Sequence, residues 1–175
     1  RYQEENQSLQ HFYSVKDIEE TLPDNNLRCI HKIDDDEVFI GTSDGLCVLN
    51  VKNKIFRRID LATLTNHQSP RLDVSKIISF NDDEIMLSTY TDGLYIYNFK
   101  NNTATHISKF DRRNAISDNY IYDVFKDENG SVWVATFTGL NRFENNLANF
   151  STINIFKNGS LLSINYFIEM NDGNI

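Results

Sequence analysis

Residues 119–150 read NYIYDVFKDENGSVWVATFTGLNRFENNLANF, and this stretch decides the fold. Apolar and polar residues alternate up to the turn Asp127-Glu128-Asn129-Gly130, and a second apolar run follows the turn. The pattern predicts four short antiparallel strands, at 119–125, 132–136, 140–143 and 149–153. A single sheet of this size has too little apolar surface to bury both of its faces. The unit therefore requires copies of itself.

The chain contains two further copies of this unit. The second strand recurs as Val38–Thr42 and Ile85–Thr89, which align with Val132–Thr136. Each copy continues through a turn into a Gly-Leu pair, at Gly45-Leu46, Gly93-Leu94 and Gly139-Leu140. The three glycines are 48 and 46 residues apart (from 45 to 93 and from 93 to 139), a period typical of one propeller blade. We therefore predict an all-β fold, a partial β-propeller of four-stranded antiparallel blades.

The repeat divides the chain into three whole blades and two partial ones. We expect whole blades at 27–59, 74–107 and 119–153, the end of a preceding blade at 1–14 and the start of a further blade at 162–175. In the partial blades we expect an outermost strand at Leu9–Tyr13 and an innermost strand at Leu162–Met170. Between blades we expect a helical turn at Val15–Thr21 and a polar connection at Asp60–Asp73.

This arrangement would leave apolar blade faces and strand edges uncovered at both ends of the chain. We therefore interpret the chain as a piece of one propeller in a longer protein. The expected partners of the open faces are the remaining blades of the parent protein and a second copy.

Composition excludes two classes of partner. The chain has 175 residues, a net charge of −8 and a pI near 4.9, and its basic residues form no stripe. These properties argue against binding to a phosphate backbone, so we expect no nucleic-acid partner. No run approaches the roughly 18 apolar residues of a membrane span, so we expect no membrane contact by this fragment itself.

Three sets of equivalent residues have expected structural roles. Trp133 stands between apolar neighbours, and we expect it to pack between blades. Two positions later a small residue should let adjacent blades approach closely: Gly41, Ser88 and Ala135. The next residue is a threonine that we expect to hydrogen-bond between neighbouring blades: Thr42, Thr89 and Thr136.

The two cysteines, Cys29 and Cys47, are predicted to be buried free thiols. They would lie on the first and third strands of one blade, about 9.5 Å apart, which is too far for a disulfide.

No metal or catalytic constellation stands out. Asp127-x-Asn129-Gly130 resembles the start of a calcium loop, but the position of its last ligand is Thr138, so a hairpin turn is the better account. The four histidines follow no zinc-binding spacing: His11, His31, His67 and His106. There is no Gly-x-Ser-x-Gly elbow. We therefore predict no metal, no cofactor and no catalytic residues, and no enzymatic activity for this fragment.

The third copy resembles a known family. Residues 117–121 (SDNYI), 127–136 (DENGSVWVAT), 139–143 (GLNRF) and Phe150 are similar to the two-component-regulator propeller repeat. That repeat is typical of the periplasmic sensor region of hybrid two-component systems, which are abundant in gut Bacteroides. The other copies depart from it, since Phe39 and Met86 replace the tryptophan.

A candidate binding face follows from propeller geometry. The loops between second and third strands and the loops that cross between blades emerge on the same face. This face should hold six candidate ligand-binding residues: Tyr90, Asp92, Phe137, Arg112, Asn119 and Tyr120. Aromatic rings beside carboxylate, amide and guanidinium groups can stack on a sugar ring and hydrogen-bond its hydroxyls. The alternative interpretation is that these are ordinary loop residues.

The resemblance implies a ligand-sensing extracytoplasmic module of a hybrid two-component sensor histidine kinase. Such a module would detect an oligosaccharide and signal to transcriptional control from the periplasm, as the ectodomain of an inner-membrane protein. Two alternatives stay open. One is a non-catalytic protein-interaction scaffold, and the other is a propeller lyase or glycosidase, for which we find no acid/base set.

Overall fold

The computed structural model describes residues 10–69, 71–144, 150–153, 156–157, 160–161 and 164–167. Within these ranges the chain forms three four-stranded antiparallel sheets, a two-stranded hairpin and one five-residue helix. Each large sheet is an up-and-down meander, because its strands pair in sequence order. The predicted all-β fold of propeller blades is confirmed.

The three sheets correspond to the three predicted whole blades. Blade 1 contains β1 (Leu27–Lys32), β2 (Glu37–Thr42), β3 (Gly45–Asn50) and β4 (Ile55–Ile59). After helix α1 (Leu61–Thr65), blade 2 contains β5 (Val74–Ser79), β6 (Glu84–Thr89), β7 (Leu94–Asn98) and β8 (Thr103–Ile107). Blade 3 contains β9 (Ile121–Lys126), β10 (Val132–Thr136), β11 (Gly139–Phe143) and β12 (Phe150–Ile153), and a hairpin of β13 (Phe156–Lys157) and β14 (Ser160–Leu161) follows.

The turn between the first two strands of each blade is closed by a side chain that accepts backbone hydrogen bonds. Asp127 Oδ1 accepts from the Ser131 N–H at 2.9 Å, and Gly130 has a φ of 82°. In the other blades, Asp34 and Asn81 accept from backbone N–H groups two residues ahead. These contacts are those of hairpin turns, as the sequence predicted.

Adjacent blades pack face to face through two apolar layers. Between blades 1 and 2, Phe39 lies edge-on to Tyr97 with the ring centroids 6.1 Å apart, and both side chains are fully buried. Between blades 2 and 3, Met86 packs with Val124 and Val134. Because each layer draws on two blades, no blade completes its own core.

Gly41 shows how closely two blades approach. A Cβ atom built at Gly41 would lie 2.7 Å from Val74 Cγ1 of the next blade and 2.6 Å from Cys29 Sγ. These distances are well inside van der Waals contact, so the site has room only for glycine. In blade 2 the equivalent Ser88 contacts the Ser75 hydroxyl at 2.9 Å. The predicted close approach at this small position is confirmed at Gly41.

The prediction for the threonines was wrong. Thr42, Thr89 and Thr136 donate to the carbonyls of Gly45, Gly93 and Gly139, at 3.0, 2.9 and 2.8 Å, so each bond closes a hairpin within its own blade. Their hydroxyls lie beside the hairpin carbonyl four or fewer residues away, which makes the local bond geometrically easier than one across the interface.

Backbone groups of the loops also make hydrogen bonds between successive blades. Gly45 N–H donates to Leu72 O at 2.8 Å, and Gly93 N–H donates to Asn119 O at 3.0 Å. Gly93 has a φ of 76°, and a Cβ there would collide with the carbonyl oxygen of Ile107. This loop conformation therefore requires glycine.

One ion pair joins the innermost strands of blades 2 and 3. Lys76 on β5 donates to Asp123 Oδ1 on β9. The other oxygen of Asp123 accepts from the Phe167 N–H at 2.8 Å, and the Phe167 ring lies 6.1 Å from Phe125. Asp123 thus connects blade 2, blade 3 and the segment that follows blade 3.

Trp133 makes its described contacts within blade 3. Its indole N–H donates to Asp127 Oδ2 at 2.8 Å, and the Arg142 guanidinium lies 5.0 Å from the ring centroid. The equivalent residues Phe39 and Met86 pack against the next blade. The residues expected to continue the next blade, 168–175, lie outside the described part of the chain.

One connection contains an element that the sequence did not predict. Residues 60–73 were expected to be a polar connection, and they contain α1, whose N-terminus is capped by the Asp60 carboxylate accepting from Thr63 N–H at 3.1 Å. Leu61 anchors this helix in the layer between blades 1 and 2. The hairpin β13–β14 was not predicted.

The partial blades are only partly described. Residues 10–13, part of the expected outermost strand, form no strand, although Phe12 packs edge-on against Phe56 at 5.2 Å. The strand's expected partners, in residues 1–9, lie outside the described part. The expected helical turn at 15–21 is a single hydrogen-bonded turn, from Ile18 N–H to Val15 O at 3.2 Å. Residues 164–167 form no strand, and the rest of the expected strand 162–170 is not described.

Both cysteines are free, as predicted, with Cys47 buried and Cys29 half-buried. Burial raises the pKa of the Cys29 thiol to about 11 and that of Cys47 to about 12. Both thiols are therefore protonated at neutral pH. In the described ranges, no helix is both long enough and apolar enough to span a bilayer.

We predict that Gly41→Ala destabilises the protein by about 1–3 kcal/mol, because the added methyl overpacks the interface between blades 1 and 2. The measurement is the free energy of unfolding in denaturant. Val74→Ala removes the contacting methyl groups, so the cost of Gly41→Ala should shrink in that background. Additive effects of the two substitutions would contradict the close approach.

We predict that both thiols react slowly with iodoacetamide in the folded protein. At about pH 8, a rise in the pKa of Cys29 from 9.0 to about 11 lowers its thiolate fraction about 100-fold relative to the unfolded chain. The alkylation rate of Cys29 should keep rising with pH up to its raised pKa. Mass spectrometry of folded and denatured protein measures this, and equal rates at pH 8 would refute the burial of the thiol.

Candidate ligand-binding face

One backbone hydrogen bond recurs in all three blades and gathers their loops at one end. The residue just after each second strand donates its N–H to the carbonyl of the residue just before the first strand. The bonds are Ser43 to Asn26 at 2.9 Å, Tyr90 to Asp73 at 3.1 Å and Phe137 to Tyr120 at 3.0 Å. We call this end of the blades the loop face. Equivalent positions of successive blades therefore lie side by side on it.

The first cleft of the loop face is built by three blades and has a volume of about 410 Å³. Blade 1 contributes Arg28 from β1, and Tyr120 stands immediately before β9 of blade 3. The remaining lining residues belong to blade 2 and the segment that leads into it: Arg71, Asp73, Tyr90 and Thr91.

A bidentate ion pair forms one wall of this cleft. Arg28 Nε lies 2.9 Å from Asp73 Oδ1, and Arg28 Nη2 lies 3.0 Å from Asp73 Oδ2. The Arg28 guanidinium also lies 5.4 Å from the centroid of the Tyr90 ring, within the range of a cation–π contact. Two contacts on a planar group fix its orientation. The polar atoms of this wall are therefore held in place before any ligand arrives.

The second arginine of the cleft is anchored at one nitrogen. Arg71 Nε donates to the Ser43 carbonyl at 2.7 Å. Nearby, Asp24 accepts from Asn26 N–H at 2.7 Å and from the Ser43 hydroxyl at 2.8 Å, and these hydrogen bonds lower the pKa of its carboxyl. The negative charges of the two carboxylates thus offset the positive charges of Arg28 and Arg71. The cleft therefore presents oriented polar groups without a large net charge.

Tyrosine rings continue from this cleft into a second one. Tyr120 lies 6.4 Å from Tyr90 and 5.7 Å from Tyr122, measured between ring centroids. The second cleft, of about 450 Å³, is lined by Asp118, Tyr120, Tyr122 and Phe137. Tyr120 is 42% exposed and Phe137 is 57% exposed. Tyr120 borders both clefts, so the two form one aromatic surface.

The structure brings together three of the six sequence-predicted residues, Tyr90, Tyr120 and Phe137. Asn119 lies beside them, but its side-chain oxygen accepts from the Lys109 N–H at 2.7 Å and holds the crossing loop. Arg112 is exposed on that loop and lines neither cleft.

Asp92 lines neither cleft and lies in a cluster with three other side chains. Its carboxylate accepts from the Tyr95 hydroxyl and lies 3.0 Å from His67 Nε2, and its backbone carbonyl lies 2.7 Å from His106 Nε2. Burial opposes ionisation of Asp92, yet the bonds from Tyr95 and His67 leave its pKa below the usual value. Burial and the bond to Asp92 raise the pKa of Tyr95. We call these four residues the clasp.

Sequence reasoning missed Arg28, Asp73 and Tyr122 as lining residues. A signal was available in the repeat itself. Leu27 and Ile121 pair with equivalent threonines of their second strands, so Arg28 and Tyr122 occupy the same place in blades 1 and 3. The ion pair depends on two residues that are 45 positions apart, and neither forms part of a recognisable motif.

A family model confirms the resemblance of the third copy. Residues 115–138 match the model described as "Two component regulator propeller". The match contains the end of the crossing loop, β9 and β10 of blade 3. No curated protein is similar enough to the chain to count as a match.

Solved structures share the fold. The extracellular domain of the hybrid two component system BT3049 from B. thetaiotaomicron is 20% identical, with a TM-score of 0.66 over 83% of this chain and 19% of that one. The extracellular domain of the one component system BT4673 from the same organism is 21% identical, with a TM-score of 0.67 over 87% and 20%. PorZ, a surface component of the type-IX secretion system of Porphyromonas gingivalis, is 12% identical, with a TM-score of 0.56 over 78% and 20%.

The chain spans about a fifth of the length of these structures. At this identity the likeness establishes the fold, and the family match establishes one repeat. The chain therefore carries a two-component-regulator propeller repeat within a partial β-propeller, whose described residues form three four-stranded blades.

Proposed function

We propose that the chain belongs to the ligand-sensing periplasmic region of a hybrid two-component sensor histidine kinase and binds an oligosaccharide at the loop face. The two-component-regulator repeat at 115–138 supports the sensory role. The fold shared with extracellular domains of two-component systems supports it as well. The kinase itself would lie elsewhere in the parent protein, and this part would bind without catalysing a reaction.

The observation that carries the proposal is the first cleft, where an ordered ion pair stands beside the half-buried Tyr90 and the exposed Tyr120. A sugar ring presents an apolar face of C–H groups and a rim of hydroxyls. Tyr90 and Tyr120 offer flat surfaces for the apolar face. Asp73 can accept hydrogen bonds from hydroxyls, and Arg71 can donate to ring or hydroxyl oxygens.

Preorganisation favours such binding. Arg28 holds the Asp73 carboxylate through two bonds, so a ligand does not have to order it. Ordering of flexible side chains is a substantial part of the cost of association. The adjoining second cleft would extend the aromatic surface to further sugar units at Phe137.

The cleft also suggests how binding could be transmitted. Its walls come from blades 1, 2 and 3, so a bound ligand contacts all three at once. A ligand shifts a conformational equilibrium only if it binds the two arrangements with different affinities. We propose that a change in the relative position of blades or propellers passes to the kinase in this way.

We predict that Tyr120→Ala weakens oligosaccharide binding about tenfold, or ~1.4 kcal/mol, because Tyr120 borders both clefts. Calorimetry of the intact protein against a panel of oligosaccharides measures the affinity. Tyr13→Ala is the matched control, since Tyr13 is 62% exposed and lines neither cleft. Equal losses in both variants would contradict the site, and binding of a protein but of no sugar would favour the interaction scaffold.

We predict that Arg28→Lys lowers oligosaccharide affinity, by about three- to tenfold, with little change in unfolding free energy. A lysine cannot reproduce the two parallel bonds to Asp73, so the carboxylate loses its fixed orientation. Arg112→Lys provides the control, because Arg112 lines neither cleft. An unchanged affinity in Arg28→Lys would show that the ion pair does not order the binding site.

A further inference from the structure

The clasp brings together two histidines that are 39 positions apart in the sequence (from 67 to 106). The rings of His67 and His106 stack, with centroids 3.9 Å apart and an interplanar angle of 20°. Both Nε2 atoms point to Asp92, one at its carboxylate and one at its backbone carbonyl. One ligand-type atom from each of the three residues lies within 4.8 Å of the other two.

In blades 1 and 3, other residue types hold the segment that enters the blade against the blade's outer strands. The clasp joins the segment entering blade 2 to the outer edge of that blade. In blade 1 the residue equivalent to His106 is Arg58, which donates to the carbonyls of Ile18 and Leu22 at 3.1 and 3.0 Å. In blade 3 the anchor is Asn141, the residue equivalent to Tyr95, and it accepts from Ser117 N–H at 2.8 Å.

In blade 2, side chains of metal-ligating types therefore hold the entering segment, whereas an arginine or an asparagine holds it in the neighbouring blades. From this juxtaposition we infer that His67, Asp92 and His106 bind a divalent transition-metal ion, with zinc the best match to the ligands. Two imidazoles and one carboxylate form a known zinc ligand set, which leaves a fourth position for water. This inference departs from the sequence-based expectation of no metal site, which rested on spacing along the chain.

Binding requires the two stacked imidazole rings to separate and rotate, so that both Nε2 lone pairs converge on one ion. Zinc bonds to imidazole nitrogen and carboxylate oxygen are about 2.0–2.2 Å long, so the three ligand atoms must move closer together. His67 lies on the loop after α1 and can move toward β8, which holds His106. Each imidazole would coordinate through Nε2 in the tautomer protonated at Nδ1. The Tyr95 hydroxyl already orients the second oxygen of Asp92, as an outer partner of a metal site does.

The position of the site links it to the candidate cleft. His67 belongs to the segment that carries Arg71 and Asp73, and Asp92 belongs to the loop that carries Tyr90. A metal ion bound by both His67 and Asp92 would fix the positions of these two walls relative to each other. This consequence rests on the proposed function, whereas metal binding itself does not.

The test is direct titration of the intact protein, stripped with EDTA, with Zn²⁺ in competition with a chromophoric chelator. We expect one ion per chain. His67→Asn and His106→Gln should each weaken binding by more than about tenfold, since outer partners of metal ligands alone are worth about 10–100-fold. His11→Asn is the matched control, because His11 lies outside the clasp and stacks on Tyr13.

Co²⁺ substitution identifies the ligands. The cobalt complex should show d–d bands without a thiolate charge-transfer band, and a thiolate band would overturn the site in favour of Cys29 or Cys47. Circular dichroism checks folding, and if His106→Gln does not fold, His67→Asn on its exposed loop decides the question. Zn²⁺ affinity unchanged in His67→Asn, or lowered equally in His11→Asn, would overturn the inference whether or not any oligosaccharide binds.

Discussion

The structure depends on one constraint, which is that a four-stranded blade can bury its faces only against its neighbours. The interface between blades 1 and 2 is so close that Gly41 lies against Val74 without room for a Cβ atom. The interface between blades 2 and 3 adds the Lys76–Asp123 ion pair to its apolar layer. Hydrogen bonds between blades come from loop backbone groups and from side chains such as Arg28 and Lys76.

This packing also creates the candidate site. Equivalent loops of successive blades lie side by side, so residues that are distant in sequence become neighbours. Arg28 of blade 1 reaches Asp73 at the start of blade 2, and Tyr120 of blade 3 completes the cleft. The clasp ties the segment before blade 2 to the loop that carries Tyr90. Sequence divergence among the repeats therefore produces a surface that no single repeat encodes.

The sequence predicted the blades well because their signals are periodic and local. The Gly-Leu pairs and the Asp or Asn turns recur at blade spacing, and each reports a hairpin that forms within its own residues. Contacts between segments were harder to predict. The threonine hydroxyls donate to a nearby carbonyl of their own blade and not across the interface. Helix α1 was missed because five residues show too little helical periodicity. Asp92 was assigned to the binding face from its loop position, but its carboxylate bonds to His67 and Tyr95 and lines neither cleft.

The most direct test of the account is hydrogen exchange of the intact protein with and without a saturating oligosaccharide. If packing of the blades builds one site, amides at the start of β1, at 71–73, at 90–91 and at 119–122 should all gain protection together. Protection confined to a single blade, or located at the opposite end of the sheets, would show that the cleft shared by three blades is not the site of recognition.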